Sequence, residues 1–146
     1  MSCDISAGRL EPCKDVVGGI QAVYFVNFGD LGAITYDLTD TDVITGVAGT
    51  PSAYKWDLRG ASTYTENIQS NRENGTTAFE QVSELTFKKL TKEDHNYVKL
   101  LSYGRPHVIV EDNNGNLLLS GLEFGCDVTA GTIVTGGAMN DLSGYT

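Results

Sequence analysis

Apolar and polar positions alternate along most of this chain, and the alternation breaks at short clusters of Gly, Asn, Asp and Ser. The strongest run is IQAVYFVNF over residues 20–28. Side chains alternate across a strand, so Ile20, Ala22, Tyr24, Val26 and Phe28 fall on one face and Val23 and Phe25 on the other. Both faces are apolar, which predicts cover on both sides, from a second layer or a neighbouring subunit. A turn over residues 30–32 would return the chain as a partner strand over 33–38. A short strand is expected at 43–47 and a loop at 49–52. At 53–58 a half-buried strand follows, with Tyr54, Trp56 and Leu58 on one face.

Residues 60–75 (GASTYTENIQSNRENG) are polar but keep Tyr64 and Ile68 at intervals, and they end in Asn74-Gly75, a tight-turn signal. They predict a strand rising to an exposed hairpin tip at 71–75. Residues 76–90 would descend, with a bulge near 82–84 to repair the register of Phe79, Leu85 and Phe87. The projecting part of this hairpin spans about residues 60–80. Thr91 then caps a helix over about 91–103, with Asp94 near the capping-box position. Tyr97, Leu100, Leu101 and Tyr103 form its apolar stripe, and Gly104 is expected as a left-handed stop. Residues 107–111 and 117–124 read as a hairpin around the loop 112–116 (DNNGN). Residues 125–130 read as turn, 132–135 as a short β-branched piece, and 140–146 as closing turn chemistry.

Length adds that the 146 residues suit one domain, residues 1–146, with no linker or internal repeat. Residues 1–18 show little periodicity and read as an N-terminal arm. Charge changes the picture more. Ten basic and 19 acidic residues give a net −9, which lacks the basic footprint that grips nucleic acid or an anionic membrane. No apolar stretch approaches the ~20 residues that span a bilayer. The opening MSCD lacks a signal-peptide layout, so folding in a cytosol is expected.

The chemistry is sparse. Cys3, Cys13 and Cys126 are odd in number and lack C-x-x-C spacing, which predicts reduced thiols. A zinc site would need His95 or His107 as a further ligand, and none is expected. There is no G-x-S-x-G, H-E-x-x-H or phosphate-binding glycine loop. The acidic cluster Asp37, Asp40 and Asp42 lacks the glycine and terminal glutamate of an EF-hand, and 112–116 reads as a hairpin turn rather than a calcium loop. Asn74-Gly-Thr76 matches a glycosylation sequon without a leader to support it. No catalytic, cofactor-binding or metal-binding residue is therefore expected. A hydrolase working through the Asp37 cluster is the third reading, after two structural ones.

Those two follow from GRLEPCKDVVGGIQAVYFVNF (8–28), SNRENGTTAFEQVSELTFKKL (70–90) and GRPHVIVEDNNGNLLLSGLEFGCDVTAGTIVTGGAMNDLSGYT (104–146). These stretches resemble virion structural proteins of tailed phages that infect Bacteroidetes. The order of strand, long hairpin, single helix, hairpin and Gly-rich stretch resembles tail-tube-type domains. The likeness covers most of the chain. It implies a mainly β, tail-tube-like β-sandwich or barrel with one flanking α-helix and a long projecting hairpin. It further implies a ring-forming subunit of a tail tube or neck, in a virion assembled in the bacterial host cytoplasm. The partners would be copies of the chain and other tail or neck proteins, with DNA as passing cargo, no membrane and no cofactor.

The hairpin tip, Arg72, Glu73, Asn74 and Gly75, is then expected to reach an adjacent subunit or ring. An acidic lining would repel phosphate within a Debye length of ~8–10 Å, although acidity serves solubility equally well. In tail-tube-like chains the segment resembling 142–146 leads into a further strand, so here that strand is absent or a partner supplies the edge. The alternative reading is a capsid decoration or fibre-attachment β-sandwich module, whose residues 20–28 are covered by its own core.

Overall fold

A computed structural model of the chain describes residues 3–39, 43–47, 52–59 and 62–146. The described residues are mainly β. They form β1 (Ile20–Val26), β2 (Ile34–Tyr36), β3 (Ile44–Val47), β4 (Tyr54–Asp57), β5 (Thr63–Asn71), β6 (Thr76–Glu84) and β7 (Phe87–Lys88). Then come α1 (Lys92–Tyr103), β8 (His107–Asp112), β9 (Leu117–Ser120), β10 (Ile133–Val134) and β11 (Gly144–Tyr145). The strands divide into a four-stranded sheet, a three-stranded sheet and two separate two-stranded pairs. The expected loop over 49–52 lies almost wholly outside the described residues, as do Asp40 and Asp42 of the acidic cluster.

The four-stranded sheet is antiparallel in the order β4-β1-β8-β9. The expected partnership of β1 with residues 33–38 does not form. β2 pairs with β3 instead, and the turn after β1 falls earlier, where the Asp30 N–H donates to the Asn27 carbonyl at 3.1 Å. Side-chain burial explains the choice. Val108 and Val110 of β8 lie opposite Phe25 and Val23, and Trp56 of β4 lies opposite Val23 on the other flank. The three residues of β2 have no such apolar set to offer and stay half-buried at best.

β1 carries a bulge that the alternation did not predict. Its register with β8 shifts between Ile20 and Ala22. Gln21 is exposed there and its carbonyl accepts from the Leu58 N–H at 3.0 Å. The extra residue turns Ile20 onto the face of Val23 and Phe25. On that face Ile20, Val23, Phe25, Leu58, Val108 and Val110 form the core, each buried side chain worth about 1.5–3 kcal/mol. Ala22 and Val26, on the opposite face, are buried as well. The cover that β1 needs therefore comes from within the chain, and no neighbouring subunit is required for it.

A mixed second layer closes the core. Tyr64 at the base of β5, Leu85, Phe87 of β7, Leu101 of α1 and Cys126 all pack against it. Trp56 sits at the centre of an aromatic group, with ring centroids 5.7 Å from Phe25, 4.7 Å from Phe87 and 6.2 Å from Tyr97. Thr91 caps α1 as expected: its Oγ1 accepts from the Asp94 N–H at 3.1 Å, and Glu93 and Asp94 place negative charge at the helix start. The C-terminal end differs. Gly104 is extended (φ −96°, ψ −172°), not left-handed. The chain passes straight through Arg105-Pro106 into β8, and a proline favours extended backbone before it.

Three further boundaries depart from expectation. β9 ends at Ser120 because Gly121 turns at φ +70°, and a Cβ there would collide with Gly125 and Cys126. The closing segment is not all turn. Gly144–Tyr145 is the middle strand of the order β10-β11-β7, and a side chain at Gly144 would strike the Phe87 carbonyl. Gly144–Tyr145 is thus paired on both sides within the chain. Finally, residues 76–90 do not descend as one bulged strand. β6 pairs with β5 in unbroken register from Thr63↔Glu84 to Asn71↔Thr76, and the chain then changes sheets at Leu85-Thr86. With both faces of the hairpin in solvent, no buried face demands a register repair.

Candidate functional site

The β5–β6 hairpin is the feature of this fold that the core does not explain. Each strand has nine residues, so the hairpin extends about 30 Å. Among the described residues β5 and β6 pair only with each other, and nearly every residue in them is exposed. Only the base is tied down. Tyr64 is half-buried, the Thr86 N–H donates to Ser62 Oγ at 3.1 Å, and the Gly121 N–H donates to Gln81 Oε1 at 3.2 Å. Burial and a hydrogen bond to Glu66 push the Tyr64 hydroxyl far above the ordinary tyrosine range, so it stays a neutral donor.

The four residues expected to mediate assembly, Arg72, Glu73, Asn74 and Gly75, form the tip. Gly75 turns at φ +65°, its N–H donates to the Arg72 carbonyl at 3.2 Å, and the Asn74 N–H donates to Asn71 Oδ1 at 3.2 Å. All four are exposed. The tip is polar, so it offers hydrogen bonds and little apolar area.

The shaft offers more, and sequence reasoning passed over it. Ile68 and Phe79 face each other across the ladder and are 68% and 62% exposed. Tyr64, Glu66 and Ser70 share that face by alternation, with Ser83, Gln81 and Thr77 opposite them. Pairing of 68 with 79 follows from a four-residue loop at 72–75; a two-residue turn at Asn74-Gly75 would have paired 68 with 81.

A second feature lies on the body. An open groove of about 340 Å³ runs between β4, β7 and α1, lined by Lys55, Trp56, Asp57, Phe87, Lys88, Asp94 and Tyr97. Lys55 and Asp57 form an exposed ion pair at 3.7 Å, the kind worth little in water. β4 is an edge of the four-stranded sheet and β9 is the other, where Leu117 and Leu118 are exposed. The exposed stripe of α1, Tyr97, Leu100 and Tyr103, continues away from the groove.

The remaining sequence candidates sit apart from these surfaces. Asp37 accepts from the Thr39 N–H at 2.8 Å, as a loop carboxylate does. Asp112 accepts from the N–H groups of Asn116 (2.8 Å) and Asn114 (2.9 Å), which hold its carboxyl below the usual range. Asn113 and Asn114 of that loop clamp the end of the N-terminal arm, donating to the carbonyls of Gly18 and Val17, each at 2.8 Å. Cys3 and Cys13 are exposed, and Cys126 lies 3.6 Å from Ser120 Oγ. No group of metal-ligating side chains occurs among the described residues, and no described helix is long and apolar enough to cross a membrane.

No family model, curated protein or solved structure matches this chain.

Proposed function

We propose that this chain is a virion structural subunit that assembles with copies of itself into a ring of a phage tail tube or neck. It acts as a building unit rather than a catalyst, with other tail or neck proteins as neighbours and DNA passing as cargo. The observation that carries the assembly reading is surplus surface. The accessible area is 11424 Å² for a 15.7 kDa chain, against about 7,300 Å² for a compact monomer of that mass. The excess is carried by segments that stand off the body, the arm of residues 3–19 and the β5–β6 hairpin, nearly all of whose residues are exposed. Heterologous contacts close into rings or run on as tubes. The virion setting rests on the resemblance of residues 8–28, 70–90 and 104–146.

One observation favours the second reading, a capsid decoration or fibre-attachment module. Of residues 20–28, Ile20, Ala22, Val23, Phe25 and Val26 are buried within the chain itself while Phe28 is 41% exposed, which goes most of the way to what such a module requires. Native mass measurement with negative-stain imaging separates the two. Closed rings or tubes with a central hole support the first. Monomers or knob-like trimers replace it with the second. Deleting residues 72–75 should weaken the ring while leaving the monomer folded; an unchanged ring would remove the tip from the interface.

A further inference from the structure

We propose that Asn74, at the hairpin tip, is a site of spontaneous deamidation, and that Asn114, in the same Asn-Gly pair, is guarded from that reaction by the N-terminal arm. The modification needs no enzyme and only water as co-reactant, and it does not depend on how copies of the chain assemble.

In an Asn-Gly pair the glycine nitrogen attacks the asparagine Cγ, unhindered because glycine carries no Cβ. A nitrogen–carbon bond forms, the Cγ–Nδ2 bond breaks, and the glycine amide proton leaves with the side-chain nitrogen as ammonia. Water then opens the succinimide ring at either carbonyl, giving Asp or a β-linked isoaspartate. Nothing is oxidised or reduced. The chain holds two such pairs, Asn74-Gly75 and Asn114-Gly115, and their backbones match. Gly75 and Gly115 are both left-handed (φ +65° and +85°), and their N–H groups donate to the carbonyls of Arg72 and Asp112, each at 3.2 Å. The N–H groups of Asn74 and Asn114 are held as well, by Asn71 Oδ1 and Asp112 Oδ1. Both asparagines are exposed, so water reaches both.

The side chains differ. Asn114 Oδ1 accepts from the Val17 N–H at 3.0 Å, and Asn114 Nδ2 donates to the Val17 carbonyl at 2.8 Å. Turning Cγ toward the Gly115 nitrogen breaks both bonds. The Asn74 side chain makes no hydrogen bond among the described residues, so nothing opposes the same rotation there. Conversion at the tip adds a carboxylate beside Glu73 or, as isoaspartate, a backbone methylene inside the turn. Conversion at Asn114 would remove the donor that holds the Val17 carbonyl and so release the arm.

The test incubates the full chain at mildly alkaline pH, dilute enough that contacts between copies do not cover the tip, and follows both sites by peptide mass spectrometry. Asn114 should convert at least about fivefold more slowly than Asn74, since two hydrogen bonds must open first. In urea the two rates should converge, because the clamp is gone and each site keeps its glycine. Val17→Pro removes the N–H that Asn114 Oδ1 accepts from, in an arm outside every strand and helix. It should speed Asn114 and leave Asn74 unchanged. Equal rates in the folded chain, or a difference that persists in urea, overturn the assignment. So does a Val17→Pro chain in which Asn114 stays as slow as before.

Discussion

β1 and β5 both run through antiparallel ladders, and they are held in opposite ways. β1 has seven residues, five of them buried, with a paired strand on each flank. β5 has nine residues, none of them buried, with one partner. The ladder of β1 is stabilised by what lies above and below it. Beyond its base, where Tyr64 packs on the core and Gln81 accepts from the Gly121 N–H, the ladder of β5 has its turn and its cross-strand side chains, such as Gln69 Nε2 donating to Glu80 Oε2 at 3.0 Å. Cross-strand pairs contribute about 0.2–1 kcal/mol each, against several for a buried aromatic. Two ladders of similar length can therefore differ in whether the isolated chain needs them.

The sharpest way to break this comparison is to truncate one phenylalanine in each ladder. Phe25 is 8% exposed and packs edge-on to Trp56. Phe25→Ala should cost about 3–5 kcal/mol in urea unfolding. Phe79→Ala should move the same midpoint by no more than about 0.5 kcal/mol. Equal losses of stability would mean that the hairpin belongs to the core after all.

A smaller effect is expected at the second layer. Gly144 passes so close to Phe87 that a methyl group meets the carbonyl of its neighbouring strand. Gly144→Ala should destabilise by about 1–3 kcal/mol, the range of overpacking. Thermal unfolding checks it. A neutral result would show that the three-stranded sheet yields easily and does not seal the core from that side. Smaller still is the cap of α1. Thr91→Ala removes the acceptor for the Asp94 N–H and should cost about 1 kcal/mol. The Tyr145 hydroxyl donates to the Thr91 carbonyl at 3.2 Å, and that bond survives the substitution, so a much larger loss would point to disruption of β11.

The parts of this fold that were legible in the sequence are those set by local physics. IQAVYFV announces a strand with two apolar faces, Thr91 with Asp94 announces a helix start, and Asn74-Gly75 and DNNGN announce turns. The parts that were not are set by distant chain. Nothing near Ile34–Tyr36 says that His107–Asp112 and Tyr54–Asp57 will outcompete it for β1. A single extra residue at Gln21 reverses the side of Ile20, and alternation cannot locate such a bulge. Gly144–Tyr145 is too short to carry a pattern, and its pairing follows from where β7 and β10 lie. Of the candidate site, the tip was readable and the shaft was not, because exposure of Ile68 and Phe79 depends on the hairpin standing clear of the body.

The arm and its loop offer the smallest effect, and it depends on pH. Asp112 holds the loop 112–116 through the N–H groups of Asn114 and Asn116, and the loop in turn holds residues 17–19. Those hydrogen bonds lower the Asp112 pKa from its ordinary 3.8, led by the one from Asn116. A carboxyl whose folded pKa lies below its unfolded one adds stability that is complete above the unfolded value, and that stability is lost as pH falls through the folded value. The loop and the clamped end of the arm should therefore hold from neutral pH down past 3.8, then loosen in stronger acid. Amide chemical shifts of Asn114, Asn116 and Gly19 should titrate together below 3.8, while those of Val23, Phe25, Val108 and Val110, held by burial, move only at lower pH or not at all. Should Asn116 titrate at or above 3.8, the carboxylate is not what holds the loop. If instead β1 gives way with the loop, the sheet and the surface attached to it are less separate than the contrast of β1 with β5 requires.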